Sequence, residues 1–179
     1  IYTNWIIGNI QETGYYRANY DVATWHKIHH LLFESNWGGI HELNRAQIVD
    51  DLLNLARASV IDYDLALQIL EYLETETNYL PWTAAFNGYN YLVIRLGTDI
   101  GNFGRYIRQL TQKSYNLLGF EEKSSDSTLA IYTRSKILSW SCKFGNSECI
   151  TKAKEYFNLI ILRQAMQLPL PPLLLPSIM

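Results

Sequence analysis

The sequence predicts a mainly α-helical fold of stacked antiparallel helix pairs, preceded by a short β segment. Three observations carry this. Apolar residues recur at helical spacing from Val22 onward, helix-end signals interrupt that pattern at short intervals, and only the stretch before Val22 has strand-like content.

From Asn4 to Tyr20, aromatic and β-branched residues flank Glu12-Thr13-Gly14 and read as two short strands joined by a turn. Two strands alone are marginal in water, so this segment is expected to join a sheet lying upstream. The period then changes. Trp25, Ile28 and Leu32 share one helical face, and Gly38-Gly39 closes this first helix.

The second helix is the centre of the chain. Asn44 followed by Gln47 is a capping-box signature, in which side chains at both ends of the first turn satisfy unpaired backbone N–H groups. Ile48, Leu52, Leu55 and Ser59 form one face with Val49, Leu53, Ala56 and Val60 beside it, so the helix is expected to pack on two sides. Asp62 or Asp64 suits the cap of a third helix around Leu65-Ala66-Leu67. Pro81 suits the first position of a fourth, where its missing N–H costs nothing.

The fourth helix carries Trp82, Phe86, Tyr89, Val93 and Leu96 and stops at Gly97. Thr98 or Asp99 is placed to cap the fifth, whose stripe is Ile100, Phe103, Ile107 and Leu110, with Arg105 and Arg108 off it. Glu121 to Ser127 is polar and turn-like. Helix resumes from Leu129 to Phe144, breaks at Gly145, and restarts near Ser147 with Ile150, Ala153, Tyr156 or Phe157, and Ile160. Short links between consecutive helices favour antiparallel neighbours of the solenoid kind, although no clean repeat at a fixed period is present.

Composition narrows the functional classes. With 179 residues, 48% hydrophobic and 18% charged, the chain suits one domain with the edge of another and can bury a core. A net charge of −2 lacks the basic excess of a nucleic-acid binder. No run approaches the roughly 20 apolar residues of a membrane-spanning helix, and the apolar tail from Leu168 to Pro176 is short and interrupted by Pro169, Pro171 and Pro172. The chain begins at Ile1, without an initiator Met or signal peptide, and is expected to start within a longer protein.

Reactive groups are sparse. His26 and His30 share a helical face at i and i+4, with His29 and His41 nearby, but a metal site demands more donors in set geometry, so these are read as surface or helix-end histidines. Asp50 and Asp51 point about 100° apart on a helix and cannot act as an acid/base pair. Asp50 is expected along a polar face with Asn54 and Arg57, and Asp51 bonded to a neighbouring helix or loop. Tyr15, Tyr16, Arg17 and Tyr20 read as an aromatic seam. Cys142 and Cys149 lie across a helix-turn-helix junction and suit either a disulfide or two reduced core thiols.

The motifs as a set resemble a known family. Arg45-Ala46-Gln47 with Asp50-Asp51 and Leu55-Ala56-Arg57-Ala58, followed by Tyr79-Leu80-Pro81-Trp82, is similar to the C-terminal helical domain of the aminopeptidase N and endoplasmic-reticulum aminopeptidase family of zinc peptidases. Trp5, Asn9 and Thr13-Gly14-Tyr15-Tyr16-Arg17-Ala18-Asn19-Tyr20-Asp21 resemble the passage from their β-sandwich into the helical domain. Cys142-Lys143-Phe144-Gly145 with Cys149 resembles their short disulfide loop. The motifs run from about Trp5 to Asn158.

The resemblance implies a HEAT-like α-solenoid, with residues 1–21 the end of an upstream β-sandwich and its connection, 22–163 an incomplete helical domain, and 164–179 an atypical Pro/Leu-rich tail. It implies a disulfide between Cys142 and Cys149, worth roughly 2.5 kcal/mol for so small a loop. Zinc is implied for the parent enzyme and none for this chain: His41-Glu42 is followed by Leu43, Asn44 and Arg45, so the second His of His-Glu-x-x-His is missing, and no Gly-Ala-Met-Glu-Asn occurs. The chain is therefore expected to hold no catalytic or metal residue, and to serve as a substrate-enclosing wall of a peptidase that removes N-terminal residues from peptides. Implied partners are the upstream catalytic and β-sandwich domains, peptide substrate through the parent, and a homodimer mate. The implied location is extracellular or the secretory lumen, with the parent anchored at the cell surface. The alternative is a stand-alone helical-repeat module that binds a protein or peptide without catalysis. An array ending here is also expected to expose the apolar face of its last helix pair.

Overall fold

The computed structural model describes residues 6–34, 37, 39–97 and 100–166. It forms two compact units, Ile1–Gly97 and Thr98–Met179. The first holds α1 (Val22–Leu32), α2 (Glu42–Arg57), α3 (Tyr63–Leu70), a 3-10 turn (Glu71–Thr75) and α4 (Tyr79–Leu96). The second holds α5 (Gly101–Leu118), α6 (Thr128–Lys143) and α7 (Ser147–Ala165).

No strand occurs among the described residues, so the two strands expected between Asn4 and Tyr20 are corrected. The segment instead takes a 3-10 turn at Ile10–Glu12 and is pinned by side chains. Asn9 Nδ2 donates to the carbonyls of Gly14 and Tyr16, both at 2.8 Å, and Gln47 Nε2 of α2 donates to Gly8 O at 3.0 Å. A hairpin without a sheet leaves its backbone groups unpaired, and here side chains take them up.

In the first unit α2 and α4 lie side by side, pointing the same way, with α3 on the return path. Their backbones approach closely at Gly88, where an added Cβ would lie 2.5 Å from Leu53 Cδ1. The core is aromatic and aliphatic, with Trp25, Leu52, Tyr72, Trp82 and Tyr89 fully buried. The stripe of α4 runs through Ala85 and Leu92; Val93 and Leu96 are half-buried.

Asp62 occupies the N-cap position of α3 as expected, whereas the starts of α2 and α4 differ from the expected caps. α2 begins at Glu42, with the His41 imidazole accepting from Leu43 N at 3.2 Å. Asn44 and Gln47 are then inside the helix and buried, bonded to each other at 3.2 Å. Asn78 precedes α4, which places Pro81 third in the helix, still within the turn that needs no N–H donor. Thr98 and Asp99, expected to cap α5, lie outside the described residues, as do residues 167–179 of the tail. α1 and α6 are capped by Asp21 and Ser127, whose side chains accept from Thr24 N and Ala130 N.

One buried ion pair ties the first unit together. Arg45, in the first turns of α2, donates from Nε to Glu76 Oε2 at 2.7 Å and from Nη2 to Glu76 Oε1 at 3.1 Å. Its Nη1 donates to Ile40 O at 2.6 Å, and its guanidinium lies 4.0 Å from the Trp37 ring centroid. Glu76 in turn accepts from Thr77 N and Asn78 N, both at 2.9 Å, at the mouth of α4, and its carbonyl accepts from Trp82 Nε1. Arg45 is 3% exposed and Glu76 0%.

In the second unit Arg134 of α6 donates to Leu118 O, the last carbonyl of α5, and to Asp126 Oδ2 at 2.7 Å. Arg108 of α5 donates to Phe144 O just past α6. On α7, Cys149 is buried, but Phe157, Leu159, Ile161 and Leu162 are exposed, as is Met166 just past the helix.

Two outcomes follow. Glu76→Ala or Arg45→Met leaves its partner charged and buried and is expected to cost about 3–5 kcal/mol in chemical denaturation, whereas Arg45→Met with Glu76→Leu recovers most of that loss. Equal costs for single and double variants would contradict this. The Asp126 carboxyl is held below its ordinary 3.8, chiefly by the Lys123 N–H, against a smaller cost of desolvation and with Arg134 adding. A depressed carboxylate stabilises the fold above that ordinary value and loses its contribution as pH falls through the lower, folded one. Asp126→Asn should therefore flatten the acid limb of stability below pH 4 or so; an unchanged acid limb would refute the assignment.

Candidate functional site

Residues at the junction of the N-terminal segment and α2 form a cleft of about 560 Å³, lined by Asn9, Glu12, Thr13, Gly14, Tyr15, Tyr16, Arg17, Asp50 and Asp51. Helical geometry sends Asp50 and Asp51 to different tasks. Asp50 is bonded by Arg17 Nη1 and also accepts from Asn54 Nδ2 at 3.0 Å. Asp51 accepts from Ala18 N at 3.0 Å and from Arg17 Nη1 at 3.2 Å.

Burial pushes the Asp51 carboxyl up, against the pull of the Ala18 N–H and the Arg17 charge. Asp51 thus clamps the incoming segment to α2, as a carboxylate bonded to a neighbouring loop. Arg57 does not join Asp50; it lies over Tyr91 of α4. Tyr15 and Tyr16 are exposed, while Tyr20 accepts from Gly8 N at 2.8 Å and packs edge-on against Trp25. Within the cleft Asp50, Asp51 and Arg17 are already paired with one another.

The histidines stay on one helix. His26, His29 and His30 of α1 line a shallow hollow with Phe33 and Glu34, and His30 Nδ1 is 3.5 Å from Glu34. The His29 imidazole packs edge-on against Phe33 and is held below its usual value by burial and by the charge of His26. His41 is apart from them, at the start of α2. Among the described residues no group of three or more His, Cys, Asp or Glu is placed to hold a metal. The described residues thus do not bring together the three or four converging ligands that a resident zinc needs.

Cys142, at the end of α6, and Cys149, in the first turn of α7, are joined by a disulfide with Cα atoms 5.2 Å apart. Gly145 turns the chain between them with φ +90, a conformation that side chains other than glycine rarely adopt.

Sequence reasoning missed the Arg45–Glu76 pair. Its linear trace is slight: Arg45 sits in a polar helix start, Glu42-Leu43-Asn44-Arg45-Ala46-Gln47, and Glu76 lies thirty-one positions on with nothing local to link them.

Comparison with known proteins decides the assignment. Residues 5–179 match the ERAP1-like C-terminal domain, which covers nearly the whole chain. The chain belongs to that family. It is 38% identical over 156 residues to a membrane alanyl aminopeptidase of Manduca sexta, covering 86% of this chain and 16% of the relative. Aminopeptidase N of Oryctolagus cuniculus is 32% identical over 161 residues, 87% of this chain and 17% of the relative. The thyrotropin-releasing hormone-degrading ectoenzyme of Homo sapiens is 31% identical over 180 residues, 93% of this chain and 16% of the relative. This ERAP1-like domain therefore spans about a sixth of the length of these relatives. The family match also reaches beyond Asn158, where the recognisable motifs cease, through the Pro/Leu-rich end.

No described helix is long and apolar enough to cross a membrane. The disulfide generates a prediction. Without reductant both thiols should resist alkylation in denaturant, and Cys142→Ser with Cys149→Ser should cost roughly 2.5 kcal/mol. Two alkylatable thiols in unreduced protein would overturn it.

Proposed function

We propose that this chain works as the non-catalytic C-terminal helical part of a zinc aminopeptidase that removes N-terminal residues from peptides. Its task there is to form part of the wall that encloses the substrate. The observation that carries this reading is the match of residues 5–179 to the ERAP1-like C-terminal domain, in a chain that spans about a sixth of aminopeptidase relatives. The polar groups of the chain support it. Among the described residues the buried charged side chains, Arg45, Glu76, Asp51 and Arg134, are engaged in holding helices and loops.

The finer architecture belongs to the same proposal. The parallel course of α2 and α4 with α3 between them is the local pattern of a HEAT-like stack, and such stacks offer an extended concave surface. Exposed Ile6, Ile10, Tyr15 and Tyr16 on the N-terminal segment suit packing against an upstream β-sandwich. Residues 1–21 then form the end of the β-sandwich and its connection, and the helical domain starts at residue 22 and includes α7. The hydrolytic zinc belongs to the upstream catalytic domain. The names of relatives, a membrane alanyl aminopeptidase and an ectoenzyme, support a parent anchored at the cell surface and facing outward.

The test is to immunopurify the native gene product with an antibody to this segment and to compare it with the 179-residue chain. The expected result is a polypeptide several times larger than 20.8 kDa that contains zinc and cleaves an aminoacyl reporter, with neither property in the chain alone. A native product near 20.8 kDa without peptidase activity, or a chain that binds stoichiometric zinc and turns over substrate by itself, would overturn the reading.

A further inference from the structure

The last turns of α2 and α4 bring two arginines onto one tyrosine. Arg57 Cζ lies 4.3 Å from the centroid of the Tyr91 ring and Arg95 Cζ lies 5.6 Å from the same centroid. Arg95 Nε also donates to Tyr91 Oη at 3.1 Å. Both guanidiniums are exposed and Tyr91 is half-buried. Among the described residues, no carboxylate forms an ion pair with either arginine.

Each arginine taken singly suits its place, because the C-terminus of a helix carries partial negative charge. Their meeting at one ring is a different matter. A cation is attracted to an aromatic face, but two cations gathered around the same ring repel each other through solvent. The concentrated positive charge shows at the phenol. Tyr91 is held below its usual value of 10.0, first by the Arg95 hydrogen bond and then by the charges of Arg95 and Arg57.

We propose that Arg57, Tyr91 and Arg95 form a binding site for an oxyanion of the carboxylate, sulfate or phosphate class. The guanidinium fork matches two oxygens of such a group, and both forks face solvent outside their contacts with Tyr91. Tyr91 Oη accepts from Arg95 and keeps its own proton to donate, so a single oxyanion can meet donors from all three side chains. The site lies about 18 Å along α2 from Arg45, which leaves it independent of the pair that holds the unit together.

The experiment uses the full chain with isotope-labelled arginine and follows the Nε–H resonances by NMR. Sodium sulfate, sodium phosphate and N-acetylglutamate amide are titrated separately at constant ionic strength set by chloride. The expected result is a saturable shift of the Arg57 and Arg95 resonances, with half-saturation on the order of 1–10 mM. Arg57→Gln or Arg95→Gln should weaken it about fivefold, as loss of a charge-assisted bond at an exposed site does. The buried Arg45 resonance reports that each variant is folded. Saturation by the glutamate ligand alone supports the site and assigns a peptide acid; saturation by sulfate or phosphate alone supports it and assigns a tetrahedral anion. A linear drift equal to that of Arg108, or saturation untouched by both substitutions, overturns the proposal.

Discussion

The Arg45–Glu76 pair is the constraint on which the first unit depends. A guanidinium and a carboxylate that are both out of water must find each other, and their remaining donors and acceptors must find backbone partners. Here those partners are the ends of elements: Ile40 before α2, Thr77 and Asn78 at the mouth of α4, and through the Glu76 carbonyl the Trp82 indole. The register of α2 against α4 is fixed as a result. An apolar pair in the same place could match its stability, but would not specify which loop meets which helix end.

The same device recurs in the second unit with different residues. Arg134 takes up the last carbonyl of α5, and Arg108 takes up the carbonyl that follows α6. Helix ends leave four C=O groups without intrahelical partners, and short loops between packed helices keep water from some of them. Arginine suits this role because its planar donors reach two acceptors at once without deprotonating. The disulfide adds a covalent limit to the α6–α7 turn, where Gly145 alone allows the backbone to reverse.

A scaffold built in this way has its polar chemistry committed to shape. Asp50, Asp51 and Arg17 fasten the N-terminal segment to α2. The role proposed above, form contributed to a larger enzyme, would draw on such rigidity more than on a nucleophile. Arg57 and Arg95 stand apart from this, gathering two positive charges at Tyr91.

The positions of the helices were legible in the linear pattern because burial of one face repeats at 3.6 residues, and Trp25, Ile28, Leu32, Trp82, Phe86, Phe103, Ile107 and Leu110 all follow that period. Family membership was legible too, since motifs such as Asn44-Arg45-Ala46-Gln47 and Tyr79-Leu80-Pro81-Trp82 are local strings. The caps were less so. Asn44 and Gln47 satisfy a capping rule in sequence but are drawn inside α2 and buried, because packing of the helix start outweighs a terminal hydrogen bond worth about 1 kcal/mol. Strand-like composition before Val22 likewise gave way, since a strand needs a partner that periodicity alone does not supply. Only the tertiary structure could decide that Arg45 meets Glu76, that Asp51 meets Ala18, and that Arg57 meets Tyr91. Each joins residues more than thirty positions apart, and such pairings are set by which faces come together, not by any local preference of the chain.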